Sequence, residues 1–390
     1  MKLNVVWCPL SERVGTIEVE NQIIQYLIDK NKKVYSLGIS SYLKKTHLSN
    51  GSIGLLPKNY IKFTLKNSKI LYGRFTIFLQ SSLGLIKLFK IFLSNKNCEI
   101  IIYSCLFPTP LLLAKSFLKL FNCQDSIKII NFIQGTPSFL RTKNQKRNPY
   151  FYFENILRKI IYTNLYKNSN YIICSSHRLA DQISNYLDKR LIKVIPNGIL
   201  KELPKRKNLL YLKESNLNKN KIKLYFIGRL TYQKNIIFLL EEFIKNYKND
   251  NTIDLTVIGN GDLFDKVNKE YSKFNNIIFL GFIKDPWKVI KKDGIIIVPS
   301  LWEEPGHVPL EAFLNNKRFF ISKGCSLSDF IHQDFKSNLV FELKELSHLL
   351  KNIRVISDGK NWYKIFPKLN ISFEKFTYKS FQESLNQLSI

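Results

Sequence analysis

Several things are scarce in this chain of 390 residues: one methionine, four tryptophans, and only 30 acidic groups against 60 basic ones. No run of about 18 apolar residues occurs, which argues against a membrane-spanning helix. The opening MKLNVVWCPLSERVG carries too short an apolar stretch for a signal peptide. The six cysteines (Cys8, Cys98, Cys105, Cys123, Cys174, Cys325) form no C-x-x-C pair and no metal-ligand spacing. Most lie in apolar, strand-like runs, as reduced core thiols of a cytoplasmic protein do, so a disulfide framework is not expected. Asp-x-Asp, G-x-S-x-G, H-E-x-x-H and Walker A strings are all missing, and no metal site or cofactor is expected. Arginine is scarce too, with 11 against 49 lysines. Proteins that read nucleic acid favour arginine for its bidentate contacts, and no zinc-finger, basic-leucine or RNA-recognition pattern accompanies the net charge of +30. Nucleic acid is therefore not an expected partner. The excess charge is uneven: residues 1–200 hold 29 basic and 9 acidic groups, against 31 and 21 in 201–390. The first half pulls harder on an anionic surface.

The length suits two domains at ~100–200 residues each, and 45% apolar content supplies a core for both. Short β-rich apolar runs alternate with longer helical patterns throughout, the sign of βαβ units and parallel sheets. In the first half the strands are expected at Leu3–Cys8, Lys33–Leu37, Glu99–Tyr103, Lys128–Ile133, Tyr171–Cys174 and Lys193–Ile195. In the second they are expected at Lys223–Ile227, Asp254–Ile258, Asn276–Leu280, Gly294–Val298, Arg318–Ser322 and Asn338–Phe341. Residues 1–199 are read as one Rossmann-like domain, 200–220 as a Lys/Asn/Leu-rich linker, and 221–370 as a second Rossmann-like domain. Residues 371–390 read as a C-terminal amphipathic helix with Phe373, Phe376, Phe381 and Leu385 as its stripe, able to pack back on the first domain.

The sharpest string is GIIIVPSLWEEPGHVPLEAF, Gly294 to Phe313. An apolar strand ends at Pro299-Ser300, a loop follows, and a helix begins near Val308. Open α/β sheets bind ligands at the carboxyl ends of their strands, and a helix start offers unpaired N–H groups to a phosphate. Glu303 and Glu311, eight residues apart, can accept hydrogen bonds from sugar hydroxyls on either side of a diphosphate. The same string serves as well as a plain strand–loop–helix connection with two solvated acids. A second string, KLYFIGRLTYQKNIIFLLEEF, sets Gly228 and Arg229 at a strand end and Lys234 at a helix entry. Two cations beside a βα turn suit a leaving diphosphate, although such a pair taken alone also reads as ordinary surface charge.

Together these strings resemble the retaining GT-B glycosyltransferases of family four (group 1). E-E-P-G-H-V-P-L-E matches the family's E-x7-E motif, and G-R-L-T-Y-Q-K matches its G-R-L-x-x-x-K segment, with Asn235 where glycine is usual. VIPNGI (Val194–Ile199), YIICSSHRLADQI (Tyr171–Ile183), VIGNGDL (Val257–Leu263) and FLGFIKD (Phe279–Asp285) follow the family's order. The resemblance implies an α/β fold of two Rossmann-like domains facing across a cleft. It implies that Glu303 contacts the donor sugar, that Glu311 binds ribose, and that backbone from Gly306 through His307 and Val308 to Leu310 holds diphosphate and nucleoside. Gly228, Arg229 and Lys234 would hold the diphosphate; Glu303, Arg229 and Lys234 are the catalytic candidates. Backbone at Phe282 and Ile283 would meet the nucleobase, and Gly15, at the start of the first helix, would lie near the diphosphate. Gln134 in INFIQGTPSFL stands on the acceptor side where many relatives carry histidine; glutamine cannot exchange a proton near neutral pH.

The resemblance thus implies transfer of a sugar from a nucleotide sugar to a glycan or lipid-linked glycan acceptor, in cell-surface polysaccharide or lipopolysaccharide assembly. Arg229 and Lys234 would replace a divalent cation. A sugar-nucleotide-binding protein without activity is the alternative that Gln134 favours; a membrane- or polyanion-binding protein is the one the charge favours. Ser68–Lys96 and Phe153–Lys167 combine apolar faces with Arg74, Lys87, Lys90, Arg158, Lys159 and Lys167. These segments fit peripheral contact with an anionic membrane surface.

Overall fold

A computed structural model describes residues 2–8, 14–32, 34–39, 46–47, 53–54, 60–65, 99–105, 111–112, 115, 127–133, 135, 156, 159–160, 163–164, 166–198, 221–248, 250–356 and 359–388. Gln134, the expected linker 200–220 and the segment Ser68–Lys96 lie outside these residues, and Phe153–Lys167 is described only at scattered positions. The chain divides into two compact units, Met1–Lys201 with Tyr378–Ile390, and Glu202–Thr377.

In the first unit β1 (Lys2–Cys8), β2 (Val34–Ile39), β5 (Tyr60–Leu65), β6 (Glu99–Ser104), β7 (Ile127–Ile133), β8 (Tyr171–Cys174) and β9 (Ile192–Val194) form a parallel sheet. Its order is β5-β2-β1-β6-β7-β8-β9. Two short strands, β3 (Thr46–His47) and β4 (Ile53–Gly54), pair antiparallel beside it in sequence. β3, β4 and β5 were not among the expected strands. The sheet is covered on both faces, which is why its strands read as continuous apolar runs. Leu3, Val5 and Trp7 of β1 enter one core, while Val6 enters another with Val19, Ile23, Ile24 and Leu27 of helix α1 (Val14–Asp29).

The second unit carries β10 (Ile222–Ile227), β11 (Ile253–Ile258), β12 (Ile277–Gly281), β13 (Ile295–Val298), β14 (Arg318–Ser322) and β15 (Val340–Phe341). They are all parallel in the order β12-β11-β10-β13-β14-β15. This is the arrangement of a doubly wound Rossmann sheet, with the order reversing between β10 and β13. Helix α2 (Ile236–Tyr247) buries Ile236, Leu239, Leu240 and Phe243 along one face at helical spacing. The strand expected at Asn338–Phe341 is shorter: a helix over Gln333–Leu339 runs into it and leaves Val340 and Phe341 to pair.

The C-terminal region departs from a single helix over 371–390. Helix α4 (Gly359–Phe373) ends in a short turn at Glu374–Phe376; Thr377 is extended, and helix α5 (Tyr378–Asn386) begins after it. The supposed stripe is thereby split between units. Phe373 packs edge-on against Phe313 at 4.8 Å and Phe376 against Phe330 at 4.8 Å in the second unit. Phe381, Leu385 and Leu388 join the core of the first, where Phe381 lies 6.4 Å from Phe132. Asp29 at the end of α1 accepts from the Tyr378 hydroxyl and the Gln382 amide, both at 2.8 Å. The last helix thus packs back on the first domain, as expected.

Candidate active site

Reversal of strand order leaves the loops after β10 and β13 side by side at the carboxyl edge of the second sheet, where such sheets take ligands. The β10 loop runs from Gly228 to Asn235 and is pressed against the β11 loop. A Cβ at Gly259 would lie 1.8 Å from the Gly228 carbonyl oxygen, so only a glycine backbone passes there. Leu230 N–H donates to the Asn260 carbonyl at 3.0 Å and fixes the same contact. Asn235, at the usual glycine position, has φ 56 and ψ 35. Asparagine is among the few residues that accept this left-handed conformation, so the departure keeps the geometry.

The β13 loop is tied to the β10 loop at three points. Leu301 N–H donates to the Gln233 carbonyl at 2.9 Å, the Gln233 amide donates to the Trp302 carbonyl at 2.8 Å, and Lys234 pairs with Glu303. The Lys234 and Glu303 side chains are 12% and 9% exposed, which makes the pair largely desolvated. Ser300 Oγ donates to the other Glu303 oxygen at 2.8 Å, so both oxygens of this buried carboxylate are satisfied. A third loop, after β14, grips the Glu303–Pro305 backbone: Glu303 N–H donates to the Gly324 carbonyl at 3.1 Å and Leu327 N–H to the Pro305 carbonyl at 3.0 Å. The Cys325 thiol donates to that same Pro305 carbonyl, and burial raises its pKa well above the ordinary thiol value.

Helix α3 (His307–Leu314) starts directly after the β13 loop, with Gly306 at φ 102 as its cap. A Cβ on Gly306 would meet Cys325 Sγ at 2.7 Å, so glycine is required both by conformation and by space. No side chain caps this helix, and the N–H groups of His307 and Val308 (Pro309 has none) lack intrahelical acceptors, the condition for holding an anion. Desolvation lowers the His307 pKa below 6.5, with Glu311 and Glu303 opposing and Lys234 adding to the fall. Glu311, exposed one turn inside the helix, accepts from the Trp287 indole Nε1 at 2.9 Å.

The structure brings together Gly228, Lys234, Glu303, Gly306 and His307 in or beside these loops, with Glu311 one turn beyond. Arg229 is exposed at the end of β10, and its guanidinium makes no hydrogen bond or ion pair among the described residues. Val308 is half-buried, while the Leu310 side chain is buried in the core, which leaves only its backbone available to a ligand. Phe282 is 77% exposed and Ile283 half-buried in the loop after edge strand β12. Gly15 is the second residue of α1 in the other unit. Sequence reasoning missed Ser300, Gln233, Cys325 and Trp287. Ser300 lies inside the quoted motif and was open to discovery; Trp287 and Cys325 act across 24 and 20 residues, where no local spacing signals them.

Residues 210–364 match the family described as glycosyl transferases group 1. An uncharacterized glycosyltransferase of Methanocaldococcus jannaschii is 27% identical over 210 residues, 51% of this chain and 48% of that protein. The Escherichia coli UDP-Gal:alpha-D-GlcNAc-diphosphoundecaprenol alpha-1,3-galactosyltransferase is 26% identical over 184 residues, 45% of this chain and 47% of that one. The chain thus spans about half the length of the curated relatives it matches. Among solved structures, Anabaena HepE in complex with UDP superposes with a TM-score of 0.64 at 14% identity, over 99% of this chain and 98% of the other. That likeness concerns the fold.

Proposed function

We propose, from the match of residues 210–364 to the family described as glycosyl transferases group 1, that this protein is a retaining, hexosyl-type glycosyltransferase. It moves a sugar from a nucleotide sugar to a glycan or lipid-linked glycan in cell-surface polysaccharide or lipopolysaccharide assembly. The observation that carries this reading is the Lys234–Glu303 pair at the strand-order reversal, set immediately before an uncapped helix start. In this reading the diphosphate lies on the first-turn amides of α3 and on Arg229 and Lys234. Glu311 accepts from ribose, and Glu303 from the transferred sugar. Backbone at Phe282 and Ile283 meets the base, while Gly15 lies near the diphosphate and Gln134 on the acceptor side. Uridine is the proposed nucleoside, supported by the UDP in HepE and by the UDP-Gal in the name of the Escherichia coli relative. The lipid diphosphate in that relative's name supports a lipid-linked acceptor.

In the proposed reaction the bond between the anomeric carbon and the β-phosphate oxygen breaks. The acceptor oxygen bonds to that carbon on the face the phosphate leaves, and the departing phosphate oxygen takes the acceptor proton. Arg229 and Lys234 neutralise the charge that grows on the diphosphate. The full chain incubated with UDP-, ADP- and GDP-sugars is expected to hydrolyse one donor slowly, releasing a sugar of unchanged anomeric configuration by NMR. Failure to bind and to hydrolyse any of these nucleotide sugars would overturn the reading.

No helix among the described residues is long and apolar enough to cross a membrane. We place the protein in the cytoplasm, attached peripherally through Ser68–Lys96 and Phe153–Lys167, a reading their basic, apolar composition supports. Liposome flotation at low salt is expected to recover more protein with anionic than with neutral lipid; equal recovery refutes the attachment.

A further inference from the structure

Glu311 sits on an exposed part of α3. A glutamate there, left to itself, samples many rotamers and gives up that freedom when it accepts from a ligand. Its Oε2 nevertheless lies 2.9 Å from the indole Nε1 of Trp287, a half-buried residue in the turn Pro286–Lys288 between β12 and β13. Indole N–H is a donor only, and Pro286 at the head of the turn restricts the backbone that carries it. A carboxylate offers about four lone-pair sites, so one bond from the indole fixes its direction without exhausting its capacity to accept.

We propose that Trp287 is a positioning residue for nucleotide recognition: its indole N–H holds the Glu311 carboxylate ready for ribose, so that the site selects nucleoside diphosphates bearing 2′- and 3′-hydroxyls. This rests on the reading of Glu311 as the ribose acceptor. Pre-organising an acceptor raises affinity only for a ligand that has the matching donors. A ligand lacking the two hydroxyls is indifferent to where the carboxylate points.

Calorimetry on the full chain tests the proposal. Of UDP, ADP and GDP, the diphosphate that binds most tightly is compared with its 2′,3′-dideoxy analogue, and the ratio of the two affinities is the readout. Glu311→Gln is expected to bring the ratio close to one. Trp287→Phe is expected to lower it at least threefold while binding of the dideoxy analogue stays within twofold of wild type. Trp287→His, which keeps a ring N–H, should recover part of the ratio. A wild-type ratio in Trp287→Phe, with the ratio lost in Glu311→Gln, overturns the role of Trp287 and leaves the ribose reading standing. Equal weakening of both ligands in Trp287→Phe also overturns it, because that is the mark of a changed shape. An unchanged ratio in Glu311→Gln overturns the ribose reading itself.

Discussion

Lys234 and Glu303, 69 residues apart in the chain, are counter-ions to one another inside the second unit, and Ser300 holds the second oxygen of the same carboxylate. Charge of either sign left alone at so low an exposure is costly, so the pair has a structural consequence besides any catalytic one. Lys234→Met is expected to lower the unfolding free energy by about 3 kcal/mol, because removal of one partner strands the other charge. Adding Glu303→Gln to the same chain should return the loss to within about 1 kcal/mol. Urea denaturation of the two variants decides this; an equal loss in the double variant would show that the pair is not coupled.

The residues of the proposed donor site should separate by ligand. Arg229→Ala is expected to weaken a nucleoside diphosphate by about one to two orders of magnitude while hardly affecting the nucleoside, since a hydrogen bond to a charged group is worth roughly 1.5–3 kcal/mol. Glu303→Gln should lower turnover by a similar factor without weakening diphosphate binding, because its proposed partner is the transferred sugar and the change releases Lys234 from its counter-ion. Calorimetry with nucleoside, nucleoside diphosphate and nucleotide sugar, together with turnover, distinguishes the two. Wild-type behaviour in both variants would return the E-x7-E string to a plain connection between strand and helix.

Activity is expected to survive exhaustive chelation. In the proposed site Arg229 and Lys234 take the place of a divalent cation in balancing the leaving diphosphate. Turnover lost in EDTA and restored by magnesium or manganese would contradict it.

His307 gives the second unit a pH dependence of definite sign. Burial lowers its pKa in the folded protein below the ordinary 6.5, so the unfolded chain binds the proton more readily. Its contribution to stability is complete above that ordinary value and declines as pH falls from about 6.5 toward the folded pKa. Chemical denaturation of wild type and His307→Asn between pH 7.5 and 5 (~0.5-unit steps) should show a steeper decline in the wild type. Parallel curves would mean that the imidazole is solvated in both states.

By itself the sequence determined whatever depends on neighbours within a few turns. The alternation of apolar runs with helical periods marks parallel strands, since a strand buried on both faces must be apolar at every position. The placement of Glu303, Gly306 and Glu311 follows from one strand–loop–helix string. Tertiary structure alone decided what meets across distance. Strand β10 lies beside β13, not β12, and only that order brings Lys234 to Glu303. Cys325 beneath Gly306 and Trp287 beside Glu311 depend on where the β14 loop and the turn before β13 return, which composition and spacing do not encode. The same holds for Phe373, Phe376 and Phe381, alike in type and close in sequence. An extended Thr377 sends the first two into one core and the third into another, and apolar spacing is blind to that choice because burial in either core satisfies it equally.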